Sequence, residues 1–149
     1  MSTPDFEEML NQSADDIKPP QPIPAGQYSL RVSTEQPTFD KSSKKGTPYV
    51  EFVLFPTAPH DDVDEDLLAE VENWQQKPLK ATFYLSQNAL FMFKEFAEKC
   101  GVDTAGRTLK EIIPECLGAE IGGNVKVGIN NETGRQYNEK VDQFFPLED

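Results

Sequence analysis

The chain has 149 residues, the length of one ordinary domain with room for little else. Fourteen Lys and Arg stand against twenty-six Asp and Glu, a formal net charge of −12, and hydrophobic residues make up 37 %. No apolar run approaches the roughly 20 residues of a membrane span, and ten Phe, four Tyr and one Trp argue against disorder of the whole chain.

The acidity is concentrated. Residues 1–20 carry a net −4, residues 61–72 a net −7 and residues 142–149 a net −3, so the remainder is slightly basic at +2. The distribution of charge says more about partners than its sum. Cys100 and Cys116 make no disulfide framework, and the start MSTPDFEEML is acidic with no apolar signal core. The expected setting is therefore a reducing cytoplasm, without membrane contact.

Residues 1–25 read as an acidic, Pro-rich arm. Thr3 and Pro4 open a short helical pattern through Phe6, Met9 and Leu10, and Lys18 to Pro24 follows as an extended spacer. The main domain is expected over 26–146, leaving 147–149 as a short acidic tip. Tyr28, Leu30 and Val32 alternate with Ser29, Arg31 and Ser33 in a first half-buried strand. Residues 35–46 read as a polar loop around FDKSSKKG. A second strand runs from Thr47 to Phe55, with Val50, Phe52 and Leu54 on one face and Tyr49, Glu51 and Val53 on the other. Pro56 and Pro59 are expected to end it.

Residues 61–76 form an acidic insertion in which Leu67, Leu68, Val71 and Trp74 recur at helical spacing. Leu79, Ala81, Phe83 and Leu85 give a third strand. Ser86 is placed to cap a helix from Gln87 to Cys100, stopped by Gly101, with Leu90, Phe93, Ala97 and Cys100 on its buried stripe. A short helical turn follows at 108–116. Two strands close the chain, Ile121–Ile129 and Arg135–Phe145, joined by the hairpin loop Asn130–Gly134. Five strands with a helix between the third and fourth, and an acidic helical insertion between the second and third, is the order of a mainly β, five-stranded OB-fold β-barrel.

Catalytic signatures are missing. The sole histidine, His60, has no serine or cysteine motif beside it, and there is no GxSxG, HExxH, CxxC or phosphate-cradling loop. Gly122-Gly123 reads as a bulge or bend. Asp62, Asp64 and Asp66 have the first spacing of a calcium loop, but its sixth position is Leu67 and its twelfth Asn73, which removes the turn and the bidentate ligand. Neither enzyme activity nor a metal or other cofactor is expected.

What remains is a set of cations interleaved with aromatic rings. If the alternating apolar residues fill the barrel, Arg31, Tyr49, Lys80 and Tyr84 face outward. The first loop adds Phe39, Lys41, Lys44 and Lys45, and the last hairpin adds Arg135 with Lys126 beside it. Tyr137 is open to either face, and Phe39 is divided between joining the groove and plugging the barrel end. Single strands bind to cations along a groove and flat rings on which bases stack, and OB barrels present such a groove across strands 2 and 3.

The stretches Ile23-Pro24-Ala25-Gly26-Gln27-Tyr28, Lys44-Lys45-Gly46 before Tyr49-Val50-Glu51-Phe52, Leu85-Ser86-Gln87-Asn88-Ala89-Leu90 before Cys100-Gly101-Val102-Asp103, and Gly134-Arg135-Gln136-Tyr137-Asn138 occur in this order. Through them the segment Ile23–Pro146 resembles a family of phage-encoded OB-fold proteins that bind single-stranded DNA in phage replication and recombination. The resemblance implies sequence-tolerant binding of single-stranded DNA without catalysis, with Lys41, Lys44, Lys45, Arg135 and Tyr137 flanking the groove. It also implies replication or recombination proteins as further partners. Such proteins often end in a long acidic tail; here the end is Phe144-Phe145-Pro146-Leu147-Glu148-Asp149, so the insertion or the arm takes that part. A further expectation is that acids 61–72 compete with DNA for the basic groove. The alternative is a protein-interaction module, or a DNA-mimicking phage inhibitor, on the same barrel.

Overall fold

The computed structural model describes residues 21–147 together with Leu10 and Asn11. The strands are β1 (Gly26–Val32), β2 (Thr38–Lys41), β3 (Pro48–Pro59), β4 (Leu79–Tyr84), β5 (Glu120–Val125), β6 (Val127–Ile129), β7 (Gln136–Asn138) and β8 (Phe144–Phe145). The helices are α1 (Glu65–Ala69), α2 (Leu90–Lys99) and α3 (Leu109–Cys116), with a 3-10 turn at Trp74–Gln76. The expected helix near Phe6–Leu10 lies, all but its last residue, outside the described residues.

The molecule is mainly β and all its pairings are antiparallel. The main sheet runs β2-β3-β1-β5-β8, with β4 on β3, and β6-β7 form a separate ribbon. Among the described residues the ladders do not close into a barrel. The last segment returns to β4 through one backbone bond, Val141 N–H to the Lys80 carbonyl at 2.8 Å. The two expected closing strands are broken up, because Lys126 and residues 139–143 leave the ladder. There the Lys126 carbonyl accepts Glu139 N–H and the Gln143 carbonyl accepts Asn124 N–H.

Alternation sets the core. Tyr28, Leu30 and Val32 of β1, Val50, Phe52 and Leu54 of β3, and Leu79, Ala81 and Phe83 of β4 are all buried. Phe93, Phe96 and Ala97 of α2 cover them, with Phe52 stacked on Phe93 at 6.0 Å and Phe83 against Phe96 at 4.8 Å. Burying each such ring contributes about 1.5–3 kcal/mol. Phe96 belongs to this stripe, while Leu90 and Cys100 stay half-exposed. α2 begins at Leu90, not at Gln87, since the Ser86 carbonyl rather than its side chain receives the first N–H groups. It ends as expected for a glycine stop: Gly101 has φ +89°, its N–H bonds the Glu98 carbonyl, and Val102 N–H bonds that of Ala97.

Four local expectations are corrected. Residues 38–41 are a strand, although all four are exposed, because their pairing to β3 supplies what alternation does not. β3 continues through Pro56 to Pro59: its β4 neighbour stops at the Leu54–Leu79 pair, so beyond it proline's missing N–H costs no bond on that edge. The bulge lies there, with Thr57 left over between the Ser29–Ala58 and Leu30–Pro56 pairs. Gly122 and Gly123 pair regularly with Ser29 and Tyr28, and glycine is required because the Phe145 ring and Leu30 lie directly on them. The folded body starts before Gly26: Ile23 is fully buried, and Asn138 bonds both its N–H and its carbonyl at 3.0 Å.

The acidic insertion does contain a helix. Asp64 caps α1 by accepting Asp66 and Leu67 N–H. Val63, Leu68 and Val71 are buried, whereas Leu67 points to solvent. Asp62 accepts Gln27 N–H at 2.9 Å. Burial and the nearby Asp62 charge push the Tyr28 hydroxyl, which donates to the Pro24 carbonyl, up to about 12.

Candidate nucleic-acid interface

β4 organises the outer face. Its pairing with β3 sets Tyr84 beside Tyr49, Thr82 beside Glu51 and Lys80 beside Val53. The two tyrosine rings meet edge to face at 6.0 Å and 71°, and Tyr84 is 43 % exposed. Tyr49 is half-buried, and the pair lies on the face opposite the core residues Val50 and Phe83.

At the Tyr84 end, residues 42–47 turn tightly between β2 and β3. Ser42 N–H donates to the Thr47 carbonyl, Gly46 N–H to the Ser42 carbonyl, and Thr47 N–H to Ser42 Oγ. Gly46 sits at φ +66°, a left-handed conformation that suits glycine. The turn carries Lys44 and Lys45 along a recess of about 600 Å³ shared with Tyr84, Ser86 and Ala89. Ala89 opens α2 without a side-chain cap, so the positive end of that helix stands at the same recess. Neither lysine has an acidic partner among the described residues.

At the Leu79 end, Arg135 and Tyr137 line a second recess, about 460 Å³, with Lys77 and Pro78. The β6-β7 ribbon positions them. Tyr137 pairs with Gly128, and a Cβ there would come within 2.8 Å of the ring, so the glycine lets the ring lie flat across the ribbon. Tyr137 remains 47 % exposed. Asn130 holds the hairpin by accepting Gly134 N–H at its carbonyl and Glu132 N–H at Oδ1. The two recesses lie at opposite ends of β4, whose six residues span about 17 Å.

Glu51 stands between them. Its Oε2 accepts Thr82 Oγ1 at 2.7 Å and pairs with Lys140 at 3.4 Å, while Oε1 pairs with Lys80 at 3.7 Å. Burial alone would raise this carboxyl. The Thr82 hydrogen bond and the charges of Lys140 and Lys80 outweigh it and hold the group below the usual carboxylate range.

No family model matches the chain, and no curated protein matches it.

The structure thus joins Lys44, Lys45, Tyr49 and Tyr84 at one end of β4, and Arg135 with Tyr137 at the other, with Lys80 between them. Four expected members stand apart. Phe39 and Lys41 pair with Val50 and Pro48, which puts them on the face of β2 opposite Tyr49. Phe39 is 57 % exposed there and plugs nothing. Arg31 lies on the outer face between Phe55 and Glu120. Lys126 is paired to Asp142 at 3.3 Å. Conversely, Lys77, just ahead of β4, and Lys140, in the interrupted part of the expected last strand, join the surface. Alternation puts Glu51 and Lys80 on outward faces, but gives no sign of the Lys140 contact.

Other polar groups have structural duties. Ser29 Oγ and His60 Nε2 are hydrogen-bonded at 2.9 Å, a pairing the sequence does not announce, and neither lines any of the recesses described. Asp62 and Asp64 serve backbone N–H groups. Among the described residues no cluster of His, Cys, Asp and Glu is arranged to hold a metal ion. Cys100 and Cys116 face each other at the ends of α2 and α3, where the Cys116 hydrogen bond and burial push the Cys100 thiol up.

Proposed function

We propose that the protein is a non-catalytic, sequence-tolerant single-stranded DNA-binding protein acting in phage DNA replication and recombination. The observation that carries this reading is the Tyr49–Tyr84 pair on the outer face, with the Tyr84 ring exposed, beside a recess edged by Lys44 and Lys45. A strand lying along β4 would stack a base on each ring, pair phosphates with the two lysines, and reach Arg135 and Tyr137 at the far end. Stacking contributes about 1–3 kcal/mol per base, so few rings suffice. The phage role rests on the sequence resemblance alone.

The finer architecture in this reading is an OB barrel. Its support is the order β1, β3, β4, helix, β5 and closing segment, together with the Val141–Lys80 bond where a barrel seam would run. The decisive experiment titrates the protein with oligo-dT at several salt concentrations while following tyrosine and tryptophan emission. Quenching is expected, with affinity falling at a slope of roughly −0.7 per neutralised phosphate. Absence of both overturns the reading in favour of a protein-binding or DNA-mimicking module.

A further inference from the structure

The centre of the β4 surface holds a carboxylate, an unexpected group on a path for polyanions. Glu51 lies on the same face as Tyr49, two residues along β3 and so about 7 Å away, and its side chain is only 15 % exposed. Oε2 is occupied by Thr82 and Lys140. Oε1 has the Lys80 ammonium at 3.7 Å, beyond hydrogen-bond reach, and accepts no hydrogen bond from the described residues. A carboxylate has about four acceptor sites, and covered ones are normally filled. The network therefore fixes an ionised oxygen, still open to solvent, beside the stacking rings.

Such an oxygen distinguishes bases. Cytosine carries an exocyclic amino donor where thymine carries an acceptor oxygen, and carboxylates accept from that amino group. We propose that Glu51 gives the groove a preference for a base with an exocyclic amino group, cytosine over thymine, at the position stacked on Tyr49 and Tyr84. This rests on the single-stranded DNA reading above and limits its sequence tolerance at one position. Two pyrimidines are the right comparison, because both are single rings and differ at the edge presented to Glu51.

The test measures affinities for oligo-dC and oligo-dT of equal length, near neutral pH, for the wild type, Glu51→Gln and Glu51→Ala. One added hydrogen bond predicts oligo-dC binding about threefold to tenfold tighter than oligo-dT in the wild type. That ratio should fall to about one in Glu51→Ala, because the oligo-dC advantage is lost. Glu51→Gln keeps the shape and the Thr82 contact, and its amide serves either base, so it should also lose the preference if alanine unfolds the protein. Equal wild-type affinities overturn this inference and leave DNA binding standing. A preference that survives both substitutions overturns it too, since stacking would then be its source. Failure to bind either oligonucleotide removes the underlying reading, and this inference with it.

Discussion

The β2–β3 turn and the acidic insertion are both surface segments of one charge sign, yet they are held in opposite ways. The turn buries none of its residues 42–47 and keeps its shape through hydrogen bonds around Ser42 and a left-handed Gly46. The insertion is pinned by apolar side chains: Val63, Leu68 and Val71 are buried, and Val63 packs so closely on Gly26 that a Cβ there would lie 2.6 Å from it. Charge on the turn can therefore be altered without touching the core. Anchorage of the insertion can be altered without touching its charge. Stability and binding are separable, and substitutions in the two regions should move different observables.

The largest effect is expected from the anchor. Leu68→Ala empties a site that is 4 % exposed and should cost about 2–5 kcal/mol, read as a lower urea midpoint. Oligo-dT affinity of the remaining folded protein should not change. A folded Leu68→Ala protein that bound DNA poorly would mean the insertion shapes the groove. Tyr84→Ala is the converse. It should weaken oligo-dT binding by about 1–3 kcal/mol while leaving the urea midpoint nearly unmoved, because much of the ring is already in water. Changing Lys44 and Lys45 together to Gln should lower the salt slope by about 1.4, two phosphate contacts' worth, again without loss of stability.

The same contrast explains what the sequence makes legible. β1, β3 and β4 are readable because each has one buried and one wet face, which writes a period of two into the chain. That period also puts Tyr49 and Tyr84 on the outer face. β2 leaves no such trace, as all four of its residues are exposed and only pairing to β3 makes it a strand. For the same reason, Phe39 and Lys41 cannot be assigned a face from the sequence. Ile23 hides in a proline-rich stretch, yet it is clamped by Asn138, 115 residues away. Lys140 reaches Glu51 only after the closing segment folds back on β4, a tertiary event that no local pattern encodes. The open seam has the same origin: hydrogen bonds of Lys126 and Gln143 interrupt strands whose apolar alternation looks continuous.

The smallest effect tests whether the two regions communicate. Asp61, Glu65 and Asp66 are exposed, and none has a cationic partner among the described residues. Converting them to Asn, Gln and Asn leaves Asp62 and Asp64, whose carboxylates hold backbone N–H groups. Stability should change by about 0.5 kcal/mol or less, with a slight loss because Glu65 and Asp66 lie in the first turn of α1. Glu70 of this insertion lines a recess with Pro22 and Gln136, so the segment borders the ribbon that carries Arg135. If its acids compete with DNA there, the triple variant should bind oligo-dT a few-fold tighter at low salt. The gain should fade at physiological ionic strength, where screening acts over about 8 Å. Lys44 and Lys45, at the other end of β4, should contribute the same salt slope in both proteins. Equal low-salt affinity would discard the competition and leave the insertion as a solvated, separately anchored surface.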